Sequence, residues 1–280
     1  MLTDVFNTVA AEMIRFRRRP LAWVVGITWS LQVLLFAYMT PLLIAVLTLH
    51  GSARTAVLSE LVPAHLDFTT ASSFPLFGGA VMLILGAFVT GTEFRWRTWA
   101  TILTQQPARA EVVLGKVLAT FLVVALIVLA SYVVALVASL AIGLSVEGGA
   151  QPPPAGRLLA SLLVSLLVSW AWAAVGMFLG VLFRGATAAI AVGLIYSLGL
   201  ENVILSFSGF FSALQPVRAI LLGANAGSLV SSLSPAQVAA QHVPGVVAVV
   251  GAGQATLVLL LYLLVAVGLS IALVARRDVA

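Results

Sequence analysis

The chain has no cysteine, which excludes disulfides, thiolate chemistry and cysteine-ligated zinc and leaves the redox compartment unmarked. Charge is scarce too: Asp, Glu, Lys and Arg make up 8% of the 280 residues, against 62% hydrophobic residues and a mean hydropathy of +1.16. A chain so balanced cannot hold its apolar surface in water, so the composition predicts an integral membrane protein. Alternating ten-residue strands of barrel type are missing, and helices remain as the way to satisfy the backbone in hydrocarbon. Nucleic acid is a poor fit for the net charge of +5, because the basic residues sit beside hydrophobic runs instead of gathering in a soluble domain with interleaved aromatics. No phosphate loop of the form GxxxxGK[ST] occurs, since Gly115-Lys116 runs into Val117 and lacks the earlier glycine. Neither H-E-x-x-H, G-x-S-x-G nor a pair of intramembrane aspartates is found. These absences predict no catalysis in this chain and no cofactor or metal of its own.

What is present reads as an all-α membrane protein with an interfacial N-terminal segment, 1–20, and one transmembrane domain, 21–280. Six apolar runs, about 21–48, 74–92, 111–146, 158–183, 186–206 and 254–275, match the roughly 20 helical residues that a bilayer requires. Residues 1–19 set Leu2, Phe6, Val9, Met13 and Phe16 at helical spacing against Asp4, Asn7 and Glu12, the pattern of a helix lying in the interface. Arg15, Arg17, Arg18 and Arg19 end it before Pro20, a cluster suited to phosphate headgroups. A signal peptide fits less well, because the following apolar run is far longer than an h-region.

Gln32, midway along the first run, is expected to hydrogen-bond another helix. Residues 49–73, with His50, Arg54, Glu60, His65 and Asp67, read as a solvated polar loop whose irregular spacing suits no metal. In the fourth run Ser161, Ser165, Ser169, Ala173, Gly176 and Gly180 make a small-residue face that predicts close helix packing. Glu201 lies 17 residues past Arg184, roughly 25 Å along a helix, so it is expected near the far interface, capped or interfacial. Between Gly209 and Gly253 the apolar sequence is broken by Pro216, Pro235 and Pro244 and several glycines, which makes a re-entrant segment a candidate there.

Eleven of the 14 basic residues fall on the side of the two termini if there are six crossings, which predicts a multi-pass protein with cytoplasmic termini. That side also holds Glu93 to Lys116, the one long charged and aromatic interruption. As a helix from Glu93 to Thr104 it puts Trp96, Trp99, Ile102 and Leu103 on one face, while Glu93 stands four residues before Arg97 on the other. Pro107 ends this helix and can open the next. The bland reading is membrane anchoring by interfacial tryptophans and arginines.

The order Gly91-Thr92-Glu93-Phe94-Arg95-Trp96, then Thr98, Leu103-Thr104, Pro107-x-Arg109 and Gly115-Lys116, resembles the cytoplasmic segment between spans two and three of type-2 ABC exporter permeases. The six runs, the basic amphipathic start and the broken segment before the last run are similar to that family too. Two positions depart from its pattern: Arg97 stands where a glycine is usual, and Gln105-Gln106 where a basic residue is frequent. The resemblance implies a permease of a bacterial-type plasma membrane that dimerises with itself or a close relative. It implies docking on two copies of a separate ATPase, which would supply the ATP and Mg chemistry. It also implies contact with that ATPase through a coupling helix: Glu93, Arg95 and Arg97 as polar contacts, Trp96 and Trp99 as anchors, Pro107 and Arg109 as the bend into span three. Scattered Ser, Tyr and Trp among apolar faces would suit an amphipathic or hydrophobic cargo such as a drug, peptide antibiotic or lipid-like compound. An ion-coupled secondary transporter and a non-transporting scaffold are the competing classes. The first needs ionisable groups at mid-depth or an internal repeat, of which the sequence offers only Glu201.

Overall fold

A computed structural model describes residues 2–95, 109–146, 151–208, 210–234 and 243–276, and the described residues are helical with no strand among them. Among the described residues six helical stretches are long and apolar enough to cross a membrane: Pro20–Leu47, Pro63–Phe94, Arg109–Gly143, Ala155–Leu182, Ala186–Phe207 and Ala252–Arg276, here spans 1 to 6. Span 2 is central, with 72% of its apolar window buried, whereas spans 1, 5 and 6 bury 17%, 22% and 22% and leave residues such as Ile27, Ile195 and Leu264 exposed. An apolar side chain outside the protein core costs little where the solvent is lipid, so the burial pattern separates helix-facing from lipid-facing surface.

Small residues set how tightly span 2 is packed. Gly176 on span 4 lies so close that a Cβ there would sit 2.1 Å from the carbonyl oxygen of Leu83, and one at Gly180 would sit 2.3 Å from Thr90 Oγ1. Thr90 in turn donates to the Met177 carbonyl across the same contact at 2.8 Å. The two serines one and two turns into span 4 serve a different neighbour: Ser161 and Ser165 bond the Tyr132 hydroxyl of span 3 at 3.1 and 3.0 Å. Ser169 is buried between these two groups of contacts.

Prolines accompany two of the wide turns. Span 1 opens into a π-helical segment at Val33–Met39 just before Pro41, whose ring has no N–H and would press on the carbonyl one turn back. Thr40 Oγ1 donates to Leu35 O at 2.9 Å within that wide turn. A second such segment, Phe74–Gly78, contains Pro75, and Gly78 N–H reaches back to Ser73 O at 3.3 Å.

Three expectations change. The stretch 49–73 is largely helical, with Gly51–Glu60 and Leu66–Ala71 as helices, and Asp67 is 1% exposed, held by Arg157 at 2.8 Å. It looked like a loop because its polar residues are frequent; burial of Asp67 needed a cation from span 4, 90 positions away in sequence. Gln32 makes no hydrogen bond among the described residues and lines a cavity of about 440 Å³ between span 1 and the residues that follow it. The N-terminal helix, Leu2–Arg18, turns Thr8 and Glu12 inward and leaves Phe6 68% exposed, so its polar side meets the protein and part of its apolar side does not.

Candidate functional site

Spans 2 and 3 flank residues 96–108, and at that junction the chain gathers four charges. Glu12 and Arg15 come from the N-terminal helix, Glu93 from the last turn of span 2, and Lys116 from two turns into span 3. Gly115 lets the N-terminal helix lie down on span 3, since a Cβ there would be 2.5 Å from Thr8 Cβ and 3.2 Å from Val5 O. That approach brings the Lys116 ammonium 2.5 Å from Glu12 Oε1 and 2.6 Å from Glu93 Oε1. Arg15 Nη1 donates to Glu12 Oε1 at 2.8 Å and to Glu93 Oε1. Glu12, Glu93 and Lys116 are 4%, 1% and 1% exposed, so the groups have left solvent almost entirely.

Among the described residues two carboxylates and two cations meet here and cancel, which is the condition for keeping charge in such a place. An ammonium has three N–H donors and no acceptor, and Lys116 uses that property to hold two carboxylates from different helices at once. The result is mechanical. One point ties the N-terminal helix to the helix entering residues 96–108 and to the helix leaving them. A second tie runs from the start of span 3, where Arg109 Nη1 reaches the Val274 and Ala275 carbonyls at 3.4 and 3.5 Å, near the C-terminal end of span 6. Cations are favoured at that end of a helix.

Of the residues expected to contact a partner ATPase, Trp96, Arg97, Trp99 and Pro107 lie outside the described residues, and Arg95 ends the span 2 helix. Glu93 is engaged inside the chain, and Arg109 opens span 3. Arg17, Arg18 and Arg19 are exposed, while Arg15 belongs to the cluster. Sequence reasoning missed Glu12, assigned to a water-facing side, and gave Lys116 no role beyond the motif. The available signal was a lysine set two turns inside an apolar run, where an unpaired cation would be costly.

One more buried carboxylate, away from the cluster, is structural. Glu201, 2% exposed, follows a π-helical segment at Ile195–Leu200 and accepts the Gly223 N–H with both oxygens at 3.0 Å. It thereby caps the buried ten-residue helix Leu222–Ser231, whose first N–H groups have no partner within the helix. Gly223 has to be glycine here, because a Cβ would fall 2.1 Å from Glu201 Oε2. We expect Glu201→Ala to lower stability by about 1–3 kcal/mol, the cost of leaving buried donors unsatisfied, and Glu201→Gln to lose less because its amide oxygen still accepts. Thermal unfolding in detergent micelles checks the order of the three proteins.

Six membrane-length helices, with the second at the centre and a charged clamp around the junction of spans 2 and 3, define a multi-pass membrane protein. A family model described as ABC-2 family transporter protein matches residues 8–199, more than half of the chain, and the chain belongs to that family. It is therefore an ABC transporter permease, a non-catalytic membrane subunit that works with an ATPase partner. A search of curated proteins returns no match. The matched stretch includes Glu12, Arg15, Glu93 and Lys116 and ends before Glu201.

Proposed function

We propose that the chain is the permease subunit of an exporter in a bacterial-type plasma membrane, with both termini in the cytoplasm. Two such subunits, identical or closely related, build the path, and two copies of a separate ATPase bind beneath them. Residues 93–109 receive the motion of the ATPase. The observation that carries this reading is the buried Glu12, Arg15, Glu93 and Lys116 cluster, which clamps both ends of that segment to the N-terminal helix. A motion of the segment then moves three helices together, as a rigid element must if nucleotide-driven closure is to reorient a membrane path. The cargo is an amphipathic or hydrophobic compound, in keeping with the apolar lining of the cavity beside Gln32. Glu201 is occupied as a helix cap, which speaks against a carrier driven by an ion.

The test is reconstitution with the co-purifying ATPase. Arg97→Glu reverses a charge in the segment and is expected to abolish substrate-stimulated ATP hydrolysis while membrane insertion is retained. Unchanged stimulation would refute the assignment of this segment as the receiving element.

A further inference from the structure

The N-terminal helix, span 1 and span 3 enclose a second concave feature, separate from the charge cluster. It is an apolar groove of about 570 Å³, with Gly26, Ile27 and Leu34 on one wall, Ile127 and Ala130 on the other, and Arg17 at one end. Gly26 faces Ile127 across it: a Cβ at residue 26 would meet Ile127 Cγ1 at 3.4 Å, an ordinary contact, while a longer side chain would have to enter the groove. The end at Arg17 is shaped by the bend between the N-terminal helix and Pro20, where the Trp23 indole N–H donates to the Arg17 carbonyl at 3.3 Å. From Ala22 to Leu34 the groove follows roughly 18 Å of helix, close to the depth of one leaflet in a hydrocarbon core of about 30 Å.

Charge says what the groove takes. Arg17 lines its head, Arg18 and Arg19 follow it in sequence and are exposed, and none of the three forms an ion pair among the described residues. The nearby acids Glu12 and Glu93 are buried and already matched by Arg15 and Lys116. A second copy of the chain laid on this face would have to bring an anion to three arginines, whereas an anionic phospholipid brings a phosphate and an acyl chain at the spacing the groove offers.

We propose that this groove is a binding site for one anionic phospholipid, with an acyl chain along Gly26 to Leu34 and its phosphate on Arg17, supported by Arg18 and Arg19. The lipid fills the angle between the N-terminal helix and spans 1 and 3. It seats the clamped helix on the membrane surface.

Retained lipid can be counted by native mass spectrometry after reconstitution into phosphatidylcholine vesicles with and without phosphatidylglycerol, followed by mild detergent extraction. The protein is expected to keep one phosphatidylglycerol per chain, in preference to phosphatidylcholine. Arg17→Gln should weaken retention about fivefold, the effect of one basic residue near an anionic surface. Gly26→Leu and Ala130→Phe fill the groove from opposite walls and should abolish retention with all arginines intact, while Gly26→Ala keeps it. Ala130 is exposed, so its substitution decides the matter if Gly26→Leu fails to fold. Equal retention by the groove-filling variants would reduce the site to a diffuse basic surface and overturn the proposal. So would equal retention of phosphatidylcholine, or efficient cross-linking between copies through cysteines placed at Ile27 and Ala130. Lipid counting needs no ATPase, so a failed coupling test leaves this result standing and the reverse holds as well.

Discussion

Lys116→Met is expected to destabilise the protein by about 3–5 kcal/mol, the usual consequence of removing one partner from a buried ion pair. Methionine fits the space of the lysine stem, so the loss is electrostatic: Glu12 and Glu93, each within 2.6 Å of the ammonium, lose the cation they share and keep their bonds to Arg15. Formal charge in the cluster changes from zero to minus one. Adding Glu93→Gln restores neutrality, and the double variant Glu93→Gln/Lys116→Met should recover about 1–3 kcal/mol relative to the sum of the single changes. Unfolding in a micelle, followed by circular dichroism across a denaturant series, gives all three values. If the two substitutions add without interaction, the cluster is not one unit and cannot act as a clamp. In the reconstituted complex the single variant should also uncouple ATP hydrolysis from transport, and the double variant should regain stability without regaining full coupling, because Glu93 no longer binds the N-terminal helix through a charge.

The second large effect is steric. Gly176→Leu places a Cβ 2.1 Å from the Leu83 carbonyl oxygen and 3.0 Å from Ala87 N, and these are backbone atoms that no rotamer change can move. Spans 2 and 4 must separate, which also breaks the Thr90 to Met177 bond. Overpacking alone typically costs about 1–3 kcal/mol. Because this contact lies at the central helix and involves rigid backbone on both sides, we expect the upper end of that range or more, with loss of assembled protein after extraction. Ser169→Leu, at a buried position that already carries a side chain, should cost less. Comparable stability of Gly176→Leu and the unaltered protein by thermal melt would show that spans 2 and 4 do not pack as described.

The sequence by itself determined an all-helical protein with six runs fit to cross a membrane, because crossing hydrocarbon demands a continuous apolar run and each run is written locally. The small residues of span 4 recur at helical spacing in the sequence, but that Ser161 meets span 3 while Gly176 and Gly180 meet span 2 is decided by the fold. The resemblance around Glu93 to Lys116 pointed to the family that the match over residues 8–199 then established. Charged residues were read less well. Glu12 and Asp67 looked solvent-facing because an isolated acid on a helix or loop has no reason to be buried, and the reason here is supplied by Lys116 and Arg157 from distant parts of the chain. Counting left Glu201 interfacial or capped, but its partner, the backbone N–H of Gly223, has no signature in the residue type. Only tertiary structure decides such matters. The free energy of a buried charge depends on which opposite charge or donor the fold delivers within about 3 Å, and the fold brings the N-terminal helix to both ends of the segment expected to meet the ATPase.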